Sequence, residues 1–515
     1  MSSSQSSRNP AVTERTPLIA TPASDRNHGN ARSEVVLDPG TKPVRQVAPD
    51  ALRGLLMMLM AFDHLNVNVA TFPHGTAVHS ENASQVVTEF SHGLGYVLRT
   101  ASHLCASGFA LLLGFGLVYF VSSRAQRSWS AGAQVGYLAK RALAILLVNE
   151  VTFLPFFPSM KIWLLNIILP ALALDYLLIG LLVISLDYYI QPALERWDSQ
   201  RQKSAAPRSA PVPHSTQESQ QHSTFFSWII DALLATLFFV ATFSTIWSAP
   251  EQGRCVAHHS ADMHHLSAPW QSAPNCKVSA SLILQFFWLN KMCPNLGVVS
   301  VFPPLAWISF VLLGVIYARV ILRLRIQQKG LLAFNVALGI VFALLFVSTR
   351  LLQYGNLSTD CLQTSAQLLH SNRNQYLSSI KSFLYITKYN PDPAFVFATS
   401  SVNFFLLAFF GLLFSSSATG LLAALKTILL TYGIQALFFY AFHQLFLFVF
   451  ALALRTAVPG IFEPRDPDVF PRPDGLGWTG YFCVYAVAMV VCYYACREFA
   501  RFKARRGPDS VWRFV

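Results

Sequence analysis

Four side chains capable of acid–base chemistry lie in apolar stretches of the chain: Asp63, His64, His103 and Glu150. Imidazole has an unperturbed pKa of about 6.5, so near neutral pH it can accept a proton from an attacking amine or hydroxyl. A nearby carboxylate can fix the imidazole tautomer and stabilise its protonated form. Charged groups are costly in lipid and persist there only when they face protein or a polar cavity. The set predicts a general-base site inside a membrane domain.

The partners of these groups follow partly from helix geometry. Asp63 and His64 are neighbours in sequence, so on a helix they point about 100° apart. We therefore expect Asp63 to serve His103 or Arg99 on the next span rather than His64. His443, within FFYAFHQLF, is expected to pair either with this group or with Gln444.

Basic residues near the opposite ends of the same stretches suggest a second kind of chemistry. Arg53 precedes His64 by 11 positions, roughly 16 Å along a helix. Lys140 and Arg141 open a later apolar stretch. Such residues bind phosphates, Arg by bidentate hydrogen bonds. The competing interpretation is that they only anchor the spans on the cytosolic side.

Composition identifies the class of protein. Of 515 residues, 53% are hydrophobic and 12% are charged, whereas soluble domains carry about 25% charged residues. The net charge of +13 comes from basic residues beside apolar runs. That pattern is typical of topology signals, so a nucleic-acid partner is not predicted.

The apolar runs predict an all-α, polytopic transmembrane helix bundle of about ten spans with both termini cytosolic. A short interfacial helix is expected over 415–430. Two spans within 415–455 are the alternative, which would make eleven. The ten predicted spans are 50–70, 98–122, 133–157, 162–190, 225–247, 302–322, 330–352, 394–414, 431–454 and 477–496.

Three signals agree on this orientation. Short loops rich in Lys and Arg fall on the cytosolic side. The glycosylation sequons at Asn82 and Asn356 fall on the outer side. So do Cys255, Cys276, Cys293 and Cys361, which could form two disulfides in any of three pairings.

Both ends of the chain differ from the membrane domain, which is expected over 47–500. Residues 1–46 are polar and predicted to be a disordered cytosolic tail. Within it, residues 14–19 (ERTPLI, Glu14 to Ile19) are typical of an acidic dileucine signal read by a sorting adaptor. A vacuolar or lysosomal membrane is favoured, with the plasma membrane or endoplasmic reticulum as alternatives. Residues 501–515 are expected to form a basic cytosolic tail.

Seven segments, taken in order, resemble the heparan-alpha-glucosaminide N-acetyltransferase catalytic-domain family, within the wider transmembrane acyltransferase group. The resemblance covers about residues 47–515. The segments are RGLLMMLMAFDH (53–64), ASHLCASGFALLLGFG (101–116), KRALAILLVNE (140–150), PPLAWISFVLLGVIYA (303–318), SFLYITKYNPDP (382–393), ALFFYAFHQLFLF (436–448) and CREFARFKARR (496–506).

The resemblance implies transfer of an acetyl group from cytosolic acetyl-CoA to an amino sugar across the membrane. It would assign Arg53, Lys140 and Arg141 to the CoA phosphates. It also implies a catalytic histidine in the loop after the first span, and His74 is the best match. The chain has KYNPDP where the family has KYPPS, and SHLCAS where it has THFCAP.

Three functions compete at this point. The first is a membrane acyltransferase that uses acetyl-CoA, either through an acyl-histidine intermediate or by direct transfer. The second is a transporter or permease of the same fold that carries a small solute or protons. The third is a membrane protein with a structural or signalling role. The sequence leaves the acceptor and the oligomeric state open.

Overall fold

Helices make up almost all of the regular structure. The computed structural model describes residues 47–69, 75–76, 79–80, 87–90, 93–154, 163–205, 216–248, 277–288, 291–356, 361–369, 372–389, 391–415, 419–458, 476–507, 510 and 512. Its helices are α1 (Val47–Val69), α2 (Gly93–Ala125), α3 (Ala131–Phe153), α4 (Ile168–Ser185), α5 (Gln191–Ala205), α6 (Thr216–Ser248), α7 (Ala280–Trp288), α8 (Pro304–Leu324), α9 (Gln328–Leu351), α10 (Ser365–Leu368), α11 (Ile380–Leu384), α12 (Pro393–Leu413), α13 (Gly420–Ile434), α14 (Ala436–Ala457) and α15 (Gly477–Ala504). The prediction of an all-α helix bundle is confirmed.

Nine helices of the described chain are long and apolar enough to cross a membrane. They coincide with the second to tenth predicted spans. The first predicted span is α1, which is more polar because it carries Asp50, Arg53 and Asp63. It packs against α2, α12, α13 and α14, so those helices surround much of its surface. A charged helix can therefore lie within an otherwise apolar bundle.

Helices extend past two of the apolar runs. α4 continues through a π-helical turn (Leu186–Ile190) into α5, and α6 begins at Thr216. α15 runs to Ala504 and so includes the first residues of the predicted basic C-terminal tail. In both places the helix outlasts the apolar run, because polar residues with good helix propensity continue it.

Glycines allow the closest helix contacts. A Cβ at Gly114 of α2 would overlap the carbonyl oxygen of Val311, and a Cβ at Gly314 of α8 would overlap that of Leu111. The same reciprocity joins α1 and α13, where Gly54 meets Leu429 and Gly433 meets the backbone of Asp50. Small residues of this kind let helix backbones approach in membrane bundles.

An ion-pair network ties α6 and α8 to the π-helical turn. Arg319 donates to Asp187 and to Asp231, each at 2.8 Å. Arg323 donates to Asp231 as well and lies over the ring of Trp228. Two arginines and two aspartates balance in charge, which offsets the cost of burying them.

Strands are short and lie between helices. β1 (Gly75–Thr76) pairs antiparallel with β2 (His79–Ser80). A second sheet has the order β3-β5-β4, formed by Leu164–Asn166, Val298–Ser300 and Lys291–Cys293. β3 runs parallel to β5 with Leu165 opposite Val299, and β4 runs antiparallel to it. The second sheet joins the segment before α4 to the segment before α8.

The features expected on the outer side have mixed outcomes. Cys293 and Cys361 are both disulfide-bonded, as predicted for this group of cysteines. Asn356 is 5% exposed, its amide donates to the carbonyls of Thr349 and Tyr354, and its oxygen accepts from Arg350. The side chain of Asn356 is thus engaged with protein groups, and its glycosylation stays a prediction. Asn82, Cys255, Cys276 and the segment 14–19 lie outside the described residues.

Candidate active site

The centre of the site is a pair of histidines. His64 on α1 and His443 on α14 have parallel rings, and Nδ1 of His64 lies 2.9 Å from Nε2 of His443. The side-chain amide of Gln444 lies 2.8 Å from the same Nδ1. His443 is completely buried, whereas His64 is partly exposed. The prediction that His443 joins this group is confirmed.

The tautomers follow from the partners. Nδ1 of His443 is 2.8 Å from the carbonyl oxygen of Phe439, which can only accept, so this nitrogen carries a proton. If Nε2 of His443 carried a second proton, a charged ring would be completely buried, which is costly. Nε2 of His443 is therefore the acceptor, and Nδ1–H of His64 donates to it. The atom of Gln444 closest to Nδ1 is Nε2, so this tautomer requires the amide to be turned round, with Oε1 as a second acceptor of the same N–H.

This arrangement leaves the lone pair of His64 on Nε2. A neutral imidazole has one donor and one acceptor nitrogen, and His443 occupies the donor. When Nε2 takes a proton, the bond to His443 becomes charge-assisted and stronger. The geometry thus suits a general base whose partner orients it, with histidine in the position that a carboxylate holds in other sites.

Asp63 forms an ion pair that the sequence did not predict. Its carboxylate accepts a hydrogen bond from Lys388 at 3.1 Å, and both side chains are buried. Burial alone would lower the pKa of Lys388, but the charge of Asp63 outweighs it and holds the pKa above its usual value. This partner was not predicted from the sequence because Lys388 lies 325 positions along the chain from Asp63.

That segment is extended backbone buried inside the bundle. Residues 385–389 connect α11 to α12 without helical structure. Arg99 donates to the carbonyl of Ile386 at 2.8 Å, and Arg350 donates to the carbonyl of Tyr385. Non-helical backbone is tolerated at membrane depth only where protein satisfies its polar groups. The two arginines satisfy two of its carbonyl groups. They hold the segment where the side chain of Lys388 contacts Asp63.

Two tyrosines of α15 bind the backbone of α1 next to Asp63 and His64. Tyr481 donates to the carbonyl of Phe62, and Tyr485 donates to that of Met58 at 3.0 Å. The ring of Phe62 lies between the two tyrosine rings, with centroid distances of 4.8 and 5.0 Å. Asp63 and His64 therefore project from a helix face that is held in place.

His103 and Glu150, the other described residues predicted to be catalytic, have the following contacts. His103 is completely buried, with its ring 5.6 Å from that of Phe395. Glu150 accepts a hydrogen bond from Asn149 at 3.2 Å, and Asn149 also donates to the carbonyl of Leu165 near β3. Glu150 therefore belongs to the α3–β3 contact rather than to the histidine pair. His74 lies outside the described residues.

The three basic residues assigned to CoA have separate partners. Arg53 donates to Asp50 at 2.6 Å. Arg141 lies over the ring of Tyr176 in the middle of α4, so it lies half-way along α3 rather than at its end as expected. Lys140 is exposed. Among these contacts nothing brings the three into one phosphate site.

Sequence reasoning missed Lys388 and did not assign Gln444 to His64. A signal for Lys388 was present, since it lies in the family-like segment SFLYITKYNPDP among apolar and aromatic residues. A lysine in that setting needs a buried partner. Gln444 directly follows His443, and its relation to His64 depends on how α14 crosses α1.

No protein-family model matches the chain, and no curated protein matches it significantly.

Proposed function

We propose that the protein is a membrane-embedded acyltransferase, related to the heparan-alpha-glucosaminide N-acetyltransferases, in which His64 is the general base. In this reaction Nε2 of His64 takes the proton of an acceptor amine or hydroxyl as that group attacks an acyl thioester. His443 orients the ring and accepts the hydrogen bond from Nδ1–H throughout. The new acyl bond forms as the thiolate of the donor leaves.

One observation carries this proposal: the contact between Nδ1 of His64 and Nε2 of His443. A histidine that only fills space in a bundle needs one hydrogen bond to a backbone group. His64 instead bonds through one nitrogen to a second, completely buried histidine, while its own side chain stays partly exposed. An exposed base with a buried orienting partner is the arrangement that proton transfer requires.

The proposed donor is acetyl-CoA, and the proposed acceptor is an amino sugar. Both follow from the family resemblance of the seven segments. The acyl group could pass directly to the acceptor or first to a histidine nitrogen, and both routes need the same unprotonated Nε2. In the first route the nitrogen removes a proton from the acceptor; in the second it attacks the thioester itself.

The test is acetyl transfer by the purified, detergent-solubilised protein from radiolabelled acetyl-CoA to a panel of amino sugars. We expect transfer by the natural protein and a loss of roughly 10²–10⁴-fold in His64→Ala, the range for a general base. His74→Ala is the matched variant. Loss in the His74 variant with normal transfer in the His64 variant would move the base into the loop. No transfer to any acceptor and no thioester hydrolysis would contradict the proposal.

A second candidate function rests on the buried ion pair of Asp63 and Lys388. Ionisable groups inside a membrane bundle often mark a path for ions or solutes. As a transporter, the protein would break and remake this pair while a small solute or proton crosses. Proton-coupled uptake by reconstituted vesicles, abolished in Asp63→Asn, would favour this function over transfer.

The proposed location is a vacuolar or lysosomal membrane, with both termini in the cytosol. The support is the ERTPLI segment at 14–19 together with the distribution of basic loops. Replacing Leu18 and Ile19 by Ala should send a tagged protein to the cell surface. Unchanged localisation of the double variant would remove the sorting signal from the proposal.

A further inference from the structure

Asp175 lies near the middle of α4 and has no exposed surface. Within the part of the chain that the structure describes, neither of its carboxylate oxygens has a hydrogen-bond partner. The residue is thus a buried carboxyl group in a membrane-spanning helix with nothing to satisfy a charge.

The other buried aspartates of the described chain differ from it. Each one has a cation or a backbone N–H as partner. Asp50 accepts from Arg53, Asp63 from Lys388, Asp231 from Arg319 and Arg323, and Asp392 from the backbone N–H of Phe395. Asp187, which is partly exposed, accepts from Arg319. The fold therefore supplies a partner wherever one of these carboxylates is ionised, and it supplies none at Asp175.

α4 packs against α2, α3 and α8, and almost every titratable group on these helices has a contact elsewhere. On α2 these contacts are Tyr96 with the carbonyl of Lys381, Arg99 with that of Ile386, His103 against Phe395, Cys105 with the carbonyl of Leu56, Tyr119 against Phe115 and Arg124 over Trp129. On α3 and α8 they are Tyr137 against Phe120, Arg141 over Tyr176, Glu150 with Asn149, Tyr317 with Asn335, Arg319 with Asp187 and Asp231, and Arg323 with Asp231, while Lys140 is exposed. None of these groups is a hydrogen-bond partner of the Asp175 carboxyl group.

An ionised carboxylate in such a place would carry a large desolvation cost, and in practice such a group takes up a proton instead. A neutral carboxyl without hydrogen bonds costs far less. We propose that Asp175 is a proton-binding site in the core of the bundle, whose carboxyl group holds a proton at neutral pH. This inference is independent of acyl transfer and would hold for any function of the chain.

A proton bound there can exchange only when water reaches it. α4 packs against α2, α3 and α8, and its Gly180 lies directly against Leu138 of α3. Separation of these helices would therefore be needed for Asp175 to release its proton. A site of this kind links protonation to an opening of the bundle.

Infrared spectroscopy tests the protonation state directly, because a protonated carboxyl absorbs apart from a carboxylate. The natural protein is reconstituted in lipid at neutral pH, once with ordinary aspartate and once with aspartate carrying heavy carbon in its carboxyl group. We expect a protonated-acid band that shifts with the heavy carbon. Asp175→Asn, which keeps the size of a neutral acid, should lose that band, whereas Asp187→Asn should keep it.

Two outcomes would overturn the proposal. One is the lack of any shifted protonated-acid band in the natural protein, which needs no variant to fold. The other is persistence of the band in Asp175→Asn. Folding of each variant is checked by gel filtration in detergent, and acyl transfer is not needed as a readout.

Discussion

The α2–α8 interface and the α1–α14 interface join helices by different means. α2 and α8 meet through Gly114 and Gly314, with backbone against backbone. α1 and α14 meet through His64, His443 and Gln444, with polar side chains between the backbones. In the first interface shape determines the fit. In the second, hydrogen bonds leave a partly exposed ring that can react.

The difference indicates that the α2–α8 interface mainly stabilises the bundle, whereas the α1–α14 interface serves function. Close backbone packing leaves no room for rearrangement, so α2 and α8 form a fixed support. A polar contact tolerates small shifts in geometry but depends on the chemistry of each atom. Substitutions in the first interface should therefore reduce folding, and those in the second should reduce function in protein that still folds.

The largest effect is expected from Gly114→Val. The added side chain would overlap the backbone of Val311, so α2 and α8 could not pair. We expect a loss of roughly 4–5 kcal/mol or more, enough to prevent recovery of folded protein. Gly116→Val on the same helix is the control, because nothing lies within 4 Å of a Cβ there. Yield and peak shape in gel filtration report the outcome, and equal behaviour of the two variants would refute the close contact.

The second-largest loss of stability is expected from Lys388→Met. It leaves Asp63 buried without its cation, at a cost of about 3–5 kcal/mol in unfolding free energy. Replacing both residues, as Asp63→Leu with Lys388→Met, should recover part of that loss. Lys329→Met, at an exposed lysine, is the control. If the double variant is no more stable than the single one in a thermal unfolding assay, the two side chains are not coupled.

The same pair has a defined dependence on pH. The pKa of Lys388 is raised in the folded protein, so its contribution to stability is complete below the unfolded pKa of about 10.4. The contribution is lost only as the pH rises through the higher folded value. Between neutral and moderately alkaline pH, the unfolding free energies of the natural protein and of the Asp63→Leu, Lys388→Met double variant should therefore change with pH in the same way.

His443→Phe should have a smaller effect, and on activity alone. Phenylalanine keeps a ring beside Phe439 but cannot accept the proton of His64. A hydrogen bond to a charged group contributes about 1.5–3 kcal/mol, so transfer should slow by roughly 10–100-fold. Without that acceptor the protonated ring of His64 is less stable, so the pH profile of the rate should move towards lower pH. Phe442→Leu on the same helix should leave both rate and profile normal.

Arg455→Ala should have the smallest effect. Arg455 is exposed and donates to the carbonyl of Asn68 at 3.4 Å, at the edge of the α1–α14 contact. Surface changes of this kind stay within about 0.5 kcal/mol. Thermal unfolding of the purified variant provides the measurement. A loss as large as that of Lys388→Met would show that this edge, rather than the histidine pair, holds α1 to α14.

The site was only partly predictable from sequence. His64 and His443 stand out because a histidine within an apolar run needs a partner or a role. Lys388 does not stand out in the sequence, because its segment lies between two predicted spans and has the position of an outer loop. Its return into the bundle depends on Arg99 and Arg350, which hold the backbone at Tyr385 and Ile386. Lys388 was therefore not predicted as a partner of Asp63.

The class of fold and the approximate bounds of the spans follow from the apolar runs alone. An apolar run of about 20 residues can satisfy its backbone in lipid only as a helix, so each run identifies its own element. The contacts between polar groups do not follow from these runs. His64 and His443 are 379 positions apart, and Asp63 and Lys388 are 325 apart. Such pairs depend on how helices cross and on where a buried segment re-enters the bundle, and neither property is encoded in local hydrophobicity.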